Sequence, residues 1–207
     1  WHDEWLAAIA KHMPDTPVVE YPDIPNPNDI DYALVWKHPH GDLKNYPNLK
    51  AVFSLGSGVD YLDQDNGLPD APIFRLIDPA MADDMALYTL YWTIHFQRQF
   101  GTYAAQQKNS YWHRYPTPLA PNFNVTVLGL GAIGSHIAKV LAKNGFNVSG
   151  WSRSPKDIEG INAVSGVDGL PKILATSDVL VCCLPLNTST RHFLDHDVLS
   201  TLKRGGH

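Results

Sequence analysis

Short apolar runs alternate along the chain with longer stretches whose apolar positions recur at helical spacing. The runs are Val18–Tyr21, Ala33–Trp36, Lys50–Leu55 and Ile73–Leu76 in the first part, then Val125–Leu128, Val148–Trp151 and Val179–Leu184. Strands separated by helices predict parallel sheets, because parallel neighbours need a crossover between them. The opening residues predict a helix ending near His12. The segment from about Asp83 to Lys108 holds no Pro, one Gly and apolar residues at helical spacing, which predicts a single connecting helix. Pro116, Pro118 and Pro121 make a stiff loop of Tyr115–Pro121. No internal repeat or low-complexity tract interrupts the pattern. The expectation is an α/β protein in two parts, residues 1–80 and residues 81–207.

Composition narrows the class. With 207 residues and 44% hydrophobic content the chain can bury a sizeable core. Charged residues make up 18%, below the roughly 25% usual for soluble domains, and six Trp, nine Tyr and seven Phe carry much of the apolar surface. Extensive burial, including a subunit interface, is the expectation. The formal charge of −5 and the scattered Lys and Arg argue against nucleic acid as a partner. No apolar stretch approaches the roughly 18 residues of a membrane span and no signal-peptide pattern opens the chain, so a soluble, cytoplasmic protein is expected. Cys182 and Cys183 are adjacent within an apolar run, and strand neighbours point to opposite faces, so both are expected as small core residues without a disulfide. The sequence opens on Trp1 without Met and closes on Lys203–His207, which reads as a turn into another strand. Further chain is expected on both sides.

The strongest motif is Gly129-Leu130-Gly131-Ala132-Ile133-Gly134, directly after the predicted strand Val125–Leu128 and opening a helical stretch. In that context the glycines serve a tight turn, a close backbone approach to a pyrophosphate and close helix–strand packing, with phosphates at the helix N-terminus. Gly145 is placed to end that helix. At the end of the next strand, where an NAD-binding unit usually carries an acidic residue, stand Ser152, Arg153 and Ser154. No carboxylate there repels a 2′-phosphate, and a guanidinium between two hydroxyls can grip one, so NADP(H) is preferred over NAD. The alternative is an Arg on a solvated turn.

With Asp31–Trp36, Leu49–Asp60, the Met81…Met85…Tyr88 helix start, Trp151–Ser154 and Leu184-Pro185-Leu186 followed by Thr190, the chain resembles the D-isomer-specific 2-hydroxyacid dehydrogenases over nearly its whole length. The resemblance implies a flavodoxin-like substrate domain, about residues 1–80 and without its first strand. An NAD(P)-binding Rossmann domain follows from residue 81, incomplete in its C-terminal half. It also implies NADPH-dependent reduction of a small 2-oxoacid of the glyoxylate or hydroxypyruvate kind, and a homodimer formed through the helix near Leu87–Tyr103. Ser57 and Gly58 take the substrate carboxylate in this reading, and a loop after a parallel strand is also a physical site for an anion; the alternative is an ordinary turn. Trp36 either walls the substrate pocket or packs in the core. Met85 either approaches the nicotinamide or fills core space, and Leu184 and Pro185 either flank the adenosine or pack a strand end.

Leu87 and Asn187 depart from the family, where Glu and Thr are usual. The family's Arg, Glu and His, which clamp the substrate and supply the proton, fall beyond the stretch matching Lys203–His207. His38 and His40 form an HxH pair expected on a surface loop and not on a metal, and His95 is expected to be satisfied or exposed. His113 and His136 show no partner pattern. A non-catalytic protein that senses a dinucleotide with the same fold is the alternative function. A short-chain dehydrogenase is disfavoured, because no Tyr-x-x-x-Lys pair follows the glycine motif.

Overall fold

A computed structural model describes residues 2–58 and 60–207; Trp1 and Val59, both part of the stretches read above, lie outside the described residues. The chain folds into two units. The first comprises Trp1–Gly56 and Gln64–Leu76, and the second Ser57–Asp63 and Ile77–His207.

In the first unit, strands β1 (Tyr32–Val35), β2 (Ala51–Ser54) and β3 (Ile73–Arg75) form a parallel sheet in that order. Alternation along β1 and β2 sends Val35 and Val52 into a core with Leu43, while Tyr32, Leu34 and Phe53 face outward. The outward rings continue across the sheet, with Phe53 stacked on Phe74 at 5.4 Å. The opening helix α1 (His2–His12) forms as predicted and buries none of its residues. Val18–Tyr21, expected as a strand, joins no ladder among the described residues, and Val18, Val19 and Tyr21 are exposed. Pro17 and Pro22 flank this four-residue run and lack the N–H groups that pairing uses.

His38 is a correction. Its side chain is buried, with Nε2 2.9 Å from Asp65 Oδ2. Asp65 Oδ1 accepts from the backbone N–H groups of Gly41 (2.8 Å) and Gly67 (2.7 Å), so one carboxylate ties two loops together. The backbones approach so closely there that a Cβ on Gly67 would lie 2.4 Å from Gly41 Cα. Burial would raise the Asp65 pKa; the hydrogen bonds from Gly67, His38 and Gly41 outweigh it and hold the carboxyl below its usual range.

In the second unit, β4 (Asn124–Leu128), β5 (Asn147–Ser152), β6 (Asn162–Ser165) and β7 (Val179–Cys182) form an all-parallel sheet ordered β6-β5-β4-β7. β4 lies centrally and is buried on both faces. Val125 and Val127 face a cluster with Ile137, Ala138 and Leu141 of α5 (Ala132–Lys143) and Ala86 of α3 (Pro79–Gln97). Leu128 faces the opposite cluster with Trp151 and with Leu170, Ile173 and Leu174 of α6 (Leu170–Leu174). A short helix, α2 (Asp60–Asp63), precedes α3, and α7 (His196–Ser200) follows β7. Strand β6 has no counterpart among the predicted strands. Its sequence Asn-Ala-Val-Ser is half-buried and too short for a clear apolar signal.

The predicted connecting helix is two. Asp78 caps α3 by accepting from Ala80 N at 2.9 Å, with Pro79 at the first position. The helix stops at Gln97, Gln99 takes a left-handed φ of 55°, and α4 runs Phe100–Lys108. Gln97 and Gln99 donate from their side chains to the carbonyls of Pro118 and Pro116, and Tyr115 N donates to the Tyr103 hydroxyl. The proline loop is thereby pinned over the helix break. α3 buries Ala86, Thr89, Thr93 and Gln97 and leaves Leu87, Tyr88 and Tyr91 more than half exposed.

Candidate functional site

The chain leaves β4 at the point where the sheet order reverses, with β5 and β6 on one side and β7 on the other. Open parallel sheets hold ligands outside the strand carboxyl ends at such a point. Gly129 turns there with φ +95°, and its N–H donates to Trp151 O at 2.8 Å. A Cβ on Gly129 would stand 2.8 Å from Cys183 O, so the turn is pressed against the exit of β7. A Cβ on Gly134 would stand 1.9 Å from Gly129 O, which fixes glycine as the residue that lets α5 start this close to the strand. At Gly131 the same construction meets open space. No side chain caps the N-terminus of α5, so its first-turn N–H groups, from Ala132, Ile133 and Gly134, are directed at that space. An open, uncapped helix start behind a glycine turn fits a dinucleotide pyrophosphate.

At the end of β5, Ser152 is buried and its hydroxyl donates to Ser154 O at 2.7 Å. That bond bends the chain so that Arg153 and Ser154 are exposed, and the Ser152 proton is held inside the turn. Beyond β7, Leu184 is half-buried against the Trp151 cluster and Pro185 is exposed. The following turn is held by Asn187, whose Oδ1 accepts from Ser189 N (2.9 Å) and Thr190 N (3.1 Å), while the Thr190 hydroxyl donates to Pro185 O. The departure from the usual Thr at 187 thus supplies a side-chain acceptor that closes its own loop. The structure brings the glycine turn, the β5 end and the β7 exit to the same edge of the sheet.

Ser57 and Gly58 lie between β2 and α2. The Ser57 hydroxyl lies 3.3 Å from Met81 Sδ, and Asp60 Oδ1 comes within 3.3 Å of where a Gly58 Cβ would stand. Met85, on α3, is 36% exposed, so it is not core filler alone. Trp36 follows β1 in the first unit and is 56% exposed, which removes the core-packing alternative.

Other expectations change. Among the described residues Cys182 is exposed and Cys183 is half-buried. Burial first, and the neighbouring Cys182 second, push the Cys183 thiol up to about 11. His136 has a partner after all, with Nε2 2.7 Å from Asp83 Oδ1, which links α5 to α3. His95 is neither hydrogen-bonded at Nδ1 nor on the surface there; it sits among Tyr91, Trp92, Phe96 and Phe100. Among the described residues no three His, Cys, Asp or Glu side chains gather as a metal site, and no helix is long and apolar enough to cross a membrane.

The parallel sheet with its switch point and glycine turn defines a dinucleotide-binding unit of the Rossmann type. Residues 90–207 match the family model described as the D-isomer specific 2-hydroxyacid dehydrogenase NAD binding domain. The chain is 34% identical over 214 residues to glyoxylate/hydroxypyruvate reductase A of Serratia proteamaculans, covering 99% of this chain and 67% of that protein. Its fold matches a D-isomer specific 2-hydroxyacid dehydrogenase from Xanthobacter autotrophicus, solved with NADPH and MES, with a TM-score of 0.92 and 39% identity over 99% of this chain and 66% of that one. A second match, at TM-score 0.89 and 34% identity over 100% of this chain and 66% of the other, is an NADPH-dependent glyoxylate/hydroxypyruvate reductase from Sinorhizobium meliloti, solved with NADP and sulfate. The chain belongs to the D-isomer specific 2-hydroxyacid dehydrogenase family and spans about two thirds of the length of these relatives.

Proposed function

We propose that this chain binds NADPH and is part of a reductase that converts a small 2-oxoacid, of the glyoxylate or hydroxypyruvate kind, to the D-2-hydroxyacid. The observation that carries this is the open, uncapped start of α5 behind Gly129, together with an exposed Arg153 and no acidic residue at the end of β5. Relatives solved with NADPH and NADP support the same cofactor; NAD is second.

In this reading the backbone of Gly131, Ala132, Ile133 and Gly134 holds the pyrophosphate at the helix start. Arg153, with Ser152 shaping its turn and Ser154 beside it, holds the 2′-phosphate. Leu184 and Pro185 lie along the adenosine, with Thr190 locking their loop. Met85 shields the nicotinamide from water. Ser57 and Gly58 take the substrate carboxylate, and Trp36 walls the substrate pocket. The bound cofactor supplies the hydride; the residues of this chain bind, orient and exclude water. The domains are a flavodoxin-like substrate domain over residues 1–80 and a Rossmann domain from residue 81. The exposed aromatic face of α3 serves a homodimer, and the protein is cytoplasmic.

The test is the oxidation of NADPH and of NADH with hydroxypyruvate and glyoxylate, followed as loss of reduced-cofactor absorbance, beside direct fluorescence titration of both cofactors. Turnover favouring NADPH is the expected result for the full-length protein. Cofactor binding without turnover would turn the reading to a dinucleotide-sensing protein, and no binding would overturn it.

A further inference from the structure

The first unit holds a buried histidine–carboxylate pair that has no part in the cofactor reading. Strand β1 ends at Val35, and Trp36, Lys37 and His38 follow it. Trp36 and Lys37 are exposed, whereas the His38 side chain is 7% exposed and that of Asp65 1%. An ionised carboxylate can only accept, so His38 Nε2 carries the proton and donates to Asp65 Oδ2 at 2.9 Å. The other oxygen, Oδ1, takes the N–H groups of Gly41 and Gly67. Asp42 N donates to Pro39 O at 3.2 Å, so the chain from His38 to Gly41 is a closed turn fixed at both ends on one carboxylate.

The hold has a use at Lys37. Its φ of 54° is left-handed, a conformation that a residue with a Cβ rarely adopts. Such a residue persists where its surroundings fix it from more than one side. Val35 is fixed before it, by pairing with Ser54 and by accepting from Leu55 N at 2.9 Å, and His38 is fixed after it by Asp65. Trp36 and Lys37 span the gap between these two anchors, at the carboxyl end of a parallel strand, where such sheets take ligands.

We propose that His38 and Asp65 are positioning residues for Trp36, holding it at the end of β1 as a wall for the 2-oxoacid. The proposal rests on the reading of Trp36 as part of the substrate pocket. Neither His38 nor Asp65 touches the substrate; they act through the left-handed backbone of Lys37. Losing the His38 donor strands a buried carboxylate oxygen, and the turn that carries Trp36 loses one of its two anchors.

The test is steady-state kinetics of the full-length enzyme with hydroxypyruvate at saturating NADPH, beside fluorescence titration of NADPH. His38→Leu keeps apolar bulk but removes the donor to Asp65, whereas His38→Gln can place an amide N–H where Nε2 stands. The expected result for His38→Leu is a KM for hydroxypyruvate raised at least about fivefold, with kcat within about twofold and NADPH affinity unchanged. His38→Gln is expected to restore KM to within about twofold of the wild type. Should His38→Leu fail to fold, a second pair decides. Lys37→Gly and Lys37→Val remove the same exposed charge, but Val opposes the left-handed backbone and Gly does not, so KM is expected to be at least about threefold higher with Val. An unchanged KM in His38→Leu, no rescue by His38→Gln, or equal KM in the two Lys37 variants overturns the proposal and leaves the reductase reading standing. No turnover by the wild-type enzyme overturns both.

Discussion

At Gly134 the place a side chain would take is already filled by the carbonyl oxygen of Gly129. Gly134→Ala must therefore push α5 away from the turn, and the expected cost is about 1–3 kcal/mol in urea denaturation together with loss of NADPH binding. Arg153 tests the cofactor choice at the same scale. Arg153→Asp replaces an exposed cation with a carboxylate, and fluorescence titration is expected to show NADPH affinity falling at least about tenfold relative to NADH. Both residues were legible in the sequence, because a glycine turn after a strand and the residue ending the next strand are local patterns. The pairs His38–Asp65 and His136–Asp83 were not. Their members lie far apart in sequence and are brought together only by the packing of loops or helices, so neither histidine carries a sign of its partner.

Elements were legible where the apolar run is long enough to be seen, as at the edge strands β1, β3 and β7 of the described residues as well as the central ones. β4 and β5 stand as predicted, while β6 has too little apolar sequence to announce itself. The helix break at Gln99 was also invisible, since nothing in Gln-Arg-Gln-Phe stops a helix; the docked proline loop stabilises it through contacts distant in sequence. Gln99→Val, which places a β-branched residue at positive φ, is expected to lower stability by about 1–2 kcal/mol, with Gln99→Gly closer to neutral, as read by chemical denaturation. At pH 8 iodoacetamide is expected to leave Cys183, whose thiol burial pushes up to about 11, unmodified until the protein is denatured, as read by mass spectrometry of the tryptic peptide.

For the whole molecule, acid stability depends on Asp65. Its carboxyl is held below the usual range in the folded state, so its contribution is present above the unfolded carboxylate pKa and is lost as pH falls through the folded value. Asp65→Asn is expected to lower the melting temperature at pH 7 and to flatten the decline between neutral pH and about pH 3, measured by thermal melts across that range. The fold class was readable from the chain because periodicity and the glycine turn agree, and the family because several stretches, from Asp31–Trp36 to Trp151–Ser154, resemble it. How charge is divided between the units was not, because it depends on which segments fold together. The first unit holds ten acidic and five basic residues and the second eleven of each, so the entire net charge of −5 resides in the first. Within the neutral second unit the carboxylate-free stretch from Met85 to Lys156 gathers seven of the eleven cations. The chain is thereby an acidic protein by its isoelectric point whose net charge lies in one of its two units, and at low salt an anion exchanger is expected to hold it through the first unit.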